Sequence, residues 1–131
     1  MQFDALEMLN RAAQHMKDRA ATYDQPTGER SMGRAVAAMN AILGRDALTE
    51  SEGWLLLQVL KDVRDRQRPR PHQDSLEDAI AYAALKAEAR LNEYQPSIEE
   101  VRSSVMDAVN KVGATLSPQD EWVLITQRMG K

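Results

Sequence analysis

The sequence predicts an all-α protein, built as a single-domain bundle of about six helices. Apolar residues recur at the i, i+3 and i+4 spacing of helices. The 6 glycines and 5 prolines are few and lie clustered between the apolar segments. No segment alternates between apolar and polar residues as a half-buried strand does. The length of 131 residues is typical of one domain.

The six helices are expected over residues of about 4–23, 31–43, 49–65, 74–92 and 97–113, and from residue 117 onward. Each boundary coincides with a signal that starts or stops a helix, because proline lacks an N–H donor and a Ser, Thr or Asp side chain can cap the first turn. In chain order the signals are Pro26 with Gly28, Gly44, the capping box of Thr49 with Glu52, Pro69 with Pro71, Asp74 or Ser75, the capping box of Ser97 with Glu100, Gly113, and Ser117 with Pro118.

The third helix is predicted to lie at the centre of the bundle. Its apolar residues cover most of its circumference, a pattern typical of a helix enclosed by others. We therefore expect both Trp54 and Leu56 to be buried. The fourth helix is rich in alanine and is expected to pack closely against it. Because few aromatic residues serve the whole chain, we also expect a homo-oligomer that buries more apolar surface.

The composition excludes several classes of protein. No apolar run approaches the roughly 18 residues that a membrane span needs, and no secretory signal pattern opens the chain. A net charge of −3 argues against a nucleic-acid partner. The absence of cysteine excludes disulfides and thiolate metal sites. These features indicate a soluble domain of a reducing compartment, the cytoplasm.

A cationic segment of the third helix is the first candidate site. Trp54, Leu57, Lys61 and Arg64 recur at i+3, i+4 and i+7 spacing and share one side of the helix. An apolar surface that leads into two cations suits a nucleotide, with the base on the apolar part and phosphate on Lys and Arg. The alternative is that these cations stabilise the carboxyl end of the helix and form surface ion pairs.

A second candidate lies on the fourth helix. Asp74, Asp78 and Tyr82 recur every four residues and therefore lie on one helix face. Two such carboxylates can bind Mg²⁺ together with water and substrate phosphates. The alternative is that both acids favour the start of the helix, as they do at many helix N-termini.

The third candidate is the connection between the first two helices, residues 23–34. It contains Tyr23, and it places Arg30 and Arg34 around the start of the second helix. A helix N-terminus attracts phosphate, and the two arginines would add positive charge. The alternative is an ordinary ordered turn.

Three segments in this order resemble a family of small helical phage and prophage proteins. They are the run from Tyr23 to Leu43, the leucine-rich helix that ends in Lys61-Asp-Val-Arg64, and the helix that runs from Asp74-Ser through Asp78 to Tyr82-Ala-Ala-Leu. That family looks related to the nucleotide-modification-associated domains of phages. The similarity covers residues 18–92, which it identifies as a family-like core, and leaves residues 93–131 as a C-terminal helical hairpin. It implies a nucleotide-related role in the cytoplasm of a bacterial host.

A more distant resemblance is to the all-helical nucleotide pyrophosphohydrolases of the MazG and dUTPase kind. Those enzymes hold magnesium between a Glu-Glu-x-x-Glu helix and a Glu-x-x-Asp helix. Asp74 and Asp78 resemble the acidic pattern of the second helix. The acidic pattern of the first helix is replaced by an apolar run from Trp54 to Lys61. Because metal-assisted hydrolysis needs several carboxylates, this departure argues against catalysis.

The sequence therefore favours a phage-type protein that binds a nucleotide or cyclic nucleotide without a cofactor or catalysis, for example to sequester a nucleotide signal of host immunity. One alternative is a divergent MazG-like pyrophosphohydrolase with Mg²⁺ on Asp74 and Asp78. The other is a protein that binds and inhibits a host factor. The expected ligand-binding residues are Tyr23, Arg30, Arg34, Trp54, Lys61, Arg64, Asp74, Asp78 and Tyr82.

Overall fold

The computed structural model of the chain describes residues 2–23, 31–113 and 115–130. These residues form six helices: α1 Ala5–Tyr23, α2 Ser31–Leu43, α3 Glu50–Arg66, α4 Gln73–Glu93, α5 Ile98–Lys111 and α6 Pro118–Met129. Within the described ranges there is no strand, and the predicted all-α class is confirmed. None of the helices described is both long enough and apolar enough to cross a membrane.

The chain divides into two compact units, Met1–Leu91 and Asn92–Lys131. The first unit contains α1, α2, α3 and nearly all of α4. The second contains α5 and α6, which pack against each other as a hairpin. The residues singled out by the sequence as a candidate site all belong to the first unit.

Local capping chemistry sets most of the helix ends. Ser97 and Glu100 form the complete capping box predicted for α5, in which each side chain bonds to the other residue's backbone N–H. Thr49 caps α3 by accepting a hydrogen bond from the backbone N–H of Glu52 at 3.3 Å. The Glu52 carboxylate accepts its own hydrogen bond from the Thr49 hydroxyl at 3.1 Å. The predicted pairing of Thr49 with Glu52 at α3 is therefore present, and it includes a hydrogen bond between the two side chains.

The start of α4 differs slightly from the prediction. The helix begins at Gln73, so Asp74 lies in its first turn and is not the N-cap. His72, the residue before the helix, is hydrogen-bonded to α3. Its backbone N–H donates to Oδ1 of Asp65 at 2.7 Å. This tertiary contact allows the helix to begin earlier than the local sequence signal indicates.

The core of the first unit is built around Trp54, which is 2% exposed. Leu85 and Ala89 of α4 are buried against it, and Met16, Met32, Leu57 and Tyr82 are partly buried around them. Helix α2 approaches α3 closely at Gly53, where an added Cβ would lie 2.5 Å from the sulfur of Met32. The prediction that Trp54 is buried is confirmed.

The prediction that Leu56 is buried is wrong. Leu56 is 60% exposed, and the apolar residues on the same side of α3 are 39% to 48% exposed. Two residues along a helix correspond to about 200° of rotation, so Leu56 lies nearly opposite Trp54. The other helices of this unit cover the Trp54 side of α3 and leave the opposite side open. Helix α3 therefore packs on the core with one side only, and the other helices of this unit do not surround it.

The second unit has a small core of its own. Val101 and Val105 of α5 are buried with Ile125 of α6. Arg102 donates to Glu121 at 2.7 Å across the hairpin. Arg128 donates to the hydroxyl of Ser104 at 2.6 Å. Apolar contact thus holds the two helices together, and polar pairs lie at the rim.

Alanine substitutions at Trp54 and Leu56 test the two sides of α3. Trp54→Ala should lower the free energy of unfolding by about 3–5 kcal/mol, because it opens a cavity in the core. Leu56→Ala should change it by no more than about 0.5 kcal/mol, because most of that side chain is already in water. Urea denaturation at low protein concentration, followed by circular dichroism, measures both. Equal losses would place the Leu56 side of α3 inside the core.

Candidate functional site

Two adjacent acidic residues of α4 are buried in the first unit. Glu77 is 5% exposed and Asp78 is 7% exposed. A carboxylate removed from water is costly unless cations and hydrogen-bond donors surround it. The partners of these two side chains therefore define the polar centre of this unit.

Asp78 lies between two cations that come from different helices. Nζ of Lys61 on α3 donates to its Oδ2 at 2.5 Å. The Arg19 guanidinium on α1 donates to its Oδ1. Two basic side chains, one from α1 and one from α3, thus share one carboxylate. The side chains of Arg19 and Lys61 are 23% and 16% exposed, so solvent reaches both.

The same arginine connects the charged residues to the aromatic core. The Arg19 guanidinium carbon lies 5.2 Å from the centre of the Tyr82 ring, within the range of a cation–π interaction. The Tyr82 ring in turn stacks on Trp54, with centroids 5.8 Å apart and an interplanar angle of 23°. Arg19, Tyr82 and Trp54 form a continuous stack from the partly exposed guanidinium to the buried indole.

Glu77 is held mainly by α1 and by its own helix. His15 Nε2 lies 2.6 Å from its Oε2, and the Gln73 amide donates to its Oε1 at 2.7 Å. Arg11 contributes a longer ion pair at 3.8 Å. The hydrogen bond from Gln73 and the interactions with His15 and Arg11 lower the pKa of Glu77 below its ordinary value of 4.5, although burial opposes the shift.

We use the name charged cluster for this group of side chains on α1, α3 and α4: Arg11, His15, Arg19, Lys61, Glu77 and Asp78. The structure brings three of the predicted site residues together in or beside it, namely Lys61, Asp78 and Tyr82. Lys61 was expected to bind a phosphate, and Asp78 was expected to bind the ligand, or Mg²⁺ in the alternative enzyme hypothesis; here the two side chains pair with each other. The remaining predicted residues have other environments.

The expected use of Trp54 as a stacking surface for a base is not available in this structure. Its indole is buried and is already stacked on Tyr82. The spacing predicted that Trp54 and Lys61 share one side of α3, and the structure shows that Lys61 on this side contacts the buried Asp78. The apolar part of this side, however, is filled by the protein's own core.

Five other predicted residues lie outside the charged cluster or outside the described residues. Arg34, Arg64 and Asp74 are exposed. Asp74 is thus exposed one turn before the buried Asp78, so the two carboxylates that would share Mg²⁺ in the alternative enzyme hypothesis have different environments. The side chain of Tyr23 and the whole of Arg30 lie outside the described residues, as does most of the loop in which they were expected to act.

Sequence reasoning missed the part of the charged cluster that α1 contributes. Arg11, His15 and Arg19 recur every four residues, which places three basic groups on one face of that helix. The adjacent residues Glu77 and Asp78 are acidic and are therefore complementary to these three basic groups. A search for a basic stripe in one helix and a pair of acids in another would have found the juxtaposition.

Two other arrangements of side chains are not suited to catalysis. Among the described residues, no group of three or more His, Cys, Asp or Glu side chains is placed to hold a metal ion. His72 Nδ1 lies 2.7 Å from the hydroxyl of Ser75, but Ser75 is only 2% exposed and a substrate cannot reach it. This pair stabilises the first turn of α4.

The second unit contains an apolar cleft between α5 and α6. Its volume is about 510 Å³, and Val105, Val109 and Leu124 lie in its wall with Gln127 and Arg128. Its lining includes no carboxylate and none of the residues that the sequence singled out. The charged cluster is therefore the better candidate for a functional site.

Acidification of the protein tests the role of Glu77. Because its pKa is lower in the folded chain than in the unfolded chain, its ionised form stabilises the fold at neutral pH, and this stabilisation is lost as the pH falls below 4.5. Glu77→Gln should lower the free energy of unfolding at pH 7, and its difference from the wild type should shrink between pH 5 and pH 3. Urea denaturation across this range measures the difference. A difference that stays constant with pH would show that the charge on Glu77 does not stabilise the fold.

The geometry of the charged cluster is suited to binding an anion. Arg19 and Lys61 converge on Asp78 from two helices and remain partly accessible. Comparison of the chain with protein-family models, with curated proteins and with solved structures finds no match. The function is therefore argued from the site itself.

Proposed function

We propose that the protein binds a phosphorylated ligand, a nucleotide or a nucleotide derivative, and does not transform it. Arg19 and Lys61 contact the phosphate oxygens. The observation that carries this proposal is the sharing of Asp78 by these two cations. The two cations are held next to each other by α1, α3 and α4, so little reorganisation is needed when an anion arrives.

The chemistry of the two cations favours phosphate as the anion. Arg presents a planar fork of donors that matches two phosphate oxygens, and Lys adds a compact point charge. Both side chains are less than one-quarter exposed. Partial exclusion of water strengthens a charge-assisted hydrogen bond relative to one at a fully exposed site.

The surroundings of Asp78 support binding rather than hydrolysis. Hydrolysis by metal-activated water requires carboxylates that are available to the metal. Each oxygen of Asp78 accepts a hydrogen bond from a cation, and each oxygen of Glu77 has a partner of its own. A metal ion would have to displace these partners before it could bind.

We propose that the protein acts by sequestering its ligand. The resemblance to phage proteins leads us to place it in the cytoplasm of a bacterial host, where the chain would withdraw a nucleotide signal of host immunity. We further propose that it acts as a homo-oligomer. The open apolar side of α3 supports self-association, because a monomer gains nothing from exposing it.

Lys61→Met tests the phosphate contact while keeping the apolar stem of the side chain. Loss of a charge-assisted contact costs about 1.5–3 kcal/mol, so affinity should fall by roughly tenfold to a hundredfold. A thermal-shift screen with nucleoside mono-, di- and triphosphates and with cyclic dinucleotides selects the ligand, and isothermal titration calorimetry measures its affinity. Arg70→Ala, at an exposed position of the connection between α3 and α4, is the matched control and should leave affinity unchanged.

Asp78→Asn separates binding from catalysis. Removal of the carboxylate frees charge on Arg19 and Lys61, so the affinity for the selected nucleotide should rise, and no Mg²⁺-dependent release of pyrophosphate or phosphate should occur in either protein. Loss of one partner of a buried ion pair also costs about 3–5 kcal/mol of stability, so folding is checked by circular dichroism. Robust Mg²⁺-dependent cleavage by the wild type, abolished in Asp78→Asn, would establish the pyrophosphohydrolase and exclude the proposal.

A further inference from the structure

The outer face of α3 is an apolar strip that the described residues of the first unit leave uncovered. We define it by Leu56, Val59, Leu60 and Val63, which are 39% to 60% exposed. Their spacing of three and four residues places them in one row along the helix. A row of this kind is the pattern by which two helices pair through their apolar sides.

We propose that a second copy of this chain covers the outer face, with the two α3 helices antiparallel about a twofold axis near residues 59 and 60. An isologous contact requires that one surface be complementary to itself. In this arrangement Leu56 lies against Val63 of the other copy, and Val59 lies against Leu60. All four members of the row are then buried together.

The charges at the ends of α3 support this occupant and this orientation. The first turn is acidic, with Glu50 and Glu52, and the last turn is basic, with Arg64 and Arg66. An antiparallel copy brings Glu52 of each chain beside Arg66 of the other, and it aligns the helix dipoles favourably. A parallel copy would instead place acid against acid and base against base.

The exposed apolar surface of the first unit is of the order that one chain of a dimer buries. Leu55 continues the outer face at its edge, and Met39, Ile42 and Leu43 of α2 are 46% to 82% exposed in the same unit. Eight side chains at about half exposure amount to several hundred Å². One partner's share of a standard interface is about 800 Å², which is the same order of magnitude.

This inference specifies the homo-oligomer of the proposed function and does not depend on the ligand. Its first test is sedimentation equilibrium of the full chain without any nucleotide. The wild type should form a dimer, and Leu56→Glu should raise the dimer dissociation constant by at least about 30-fold, because the symmetry places a buried carboxylate at both ends of the apolar contact. Leu91→Glu is the matched control, because Leu91 is 76% exposed on α4 and outside the proposed contact. Circular dichroism should show unchanged helix content in both variants.

A charge exchange tests the antiparallel orientation. Glu52→Arg and Arg66→Glu should each weaken the dimer by roughly tenfold, because each puts like charges together at both ends of the contact. The double variant should recover the affinity of the wild type. Within one helix these positions are about 21 Å apart, so recovery has to arise between two copies.

An engineered disulfide provides a readout that does not rely on dissociation. The chain contains no cysteine, so Leu60→Cys introduces one thiol near the proposed axis, where two α-carbons of facing helices come within bonding range. Mild oxidation should give a covalent dimer, and Leu91→Cys should not.

A monomeric wild type, a dimer that Leu56→Glu leaves intact, or a double variant as weak as the single ones would overturn the inference. None of these outcomes bears on the phosphate site, which is tested by titration of Lys61→Met.

Discussion

The burial of two neighbouring carboxylates on α4 is the constraint on which the first unit depends. Glu77 and Asp78 can remain charged inside the unit only if other helices bring positive charge to them. Helix α1 contributes a basic side chain at every fourth residue, and α3 contributes Lys61. The positions of α1 and α3 along α4 are thus fixed by charge as well as by apolar contact. Arg19 and Lys61 meet at Asp78 and remain partly exposed, and these two cations are the groups that an anion could contact.

Helix α3 has two sides with different roles. Its inner side carries Trp54 into the core and Lys61 into the charged cluster, whereas its outer side presents the exposed row that begins at Leu56. The proposed phosphate contact and the proposed contact between copies therefore lie back to back on one helix. About one helix diameter, roughly 10 Å, separates them. Substitutions on one side can be made without altering the contacts of the other, which makes the two proposals separable.

The helices could be predicted well from the sequence because their boundaries depend on local chemistry. A capping hydroxyl such as Ser97, or a glycine at positive φ such as Gly44, acts within one turn of the chain. Burial could not be predicted in the same way for α3. Its own apolar residues lie on all sides of the helix, so their spacing does not show which side the neighbouring helices cover. Leu56 was misplaced for this reason. The role of Trp54 was misjudged because only the fold shows that Tyr82 occupies its face. Lys61 and Asp78 were each singled out, but their pairing is a contact across 17 positions that no local pattern contains.

Side-chain NMR of the ¹⁵N-labelled protein tests most directly whether the group around Asp78 binds phosphate. Inorganic pyrophosphate is the probe, and the signals followed are the ammonium of Lys61 and the guanidinium of Arg19, assigned through Lys61→Met and Arg19→Gln. We expect both signals to shift with one saturating curve while the signal of Arg70 stays in place. Saturable binding of pyrophosphate with no change at Lys61 and Arg19, or no binding at all, would contradict this account of the site.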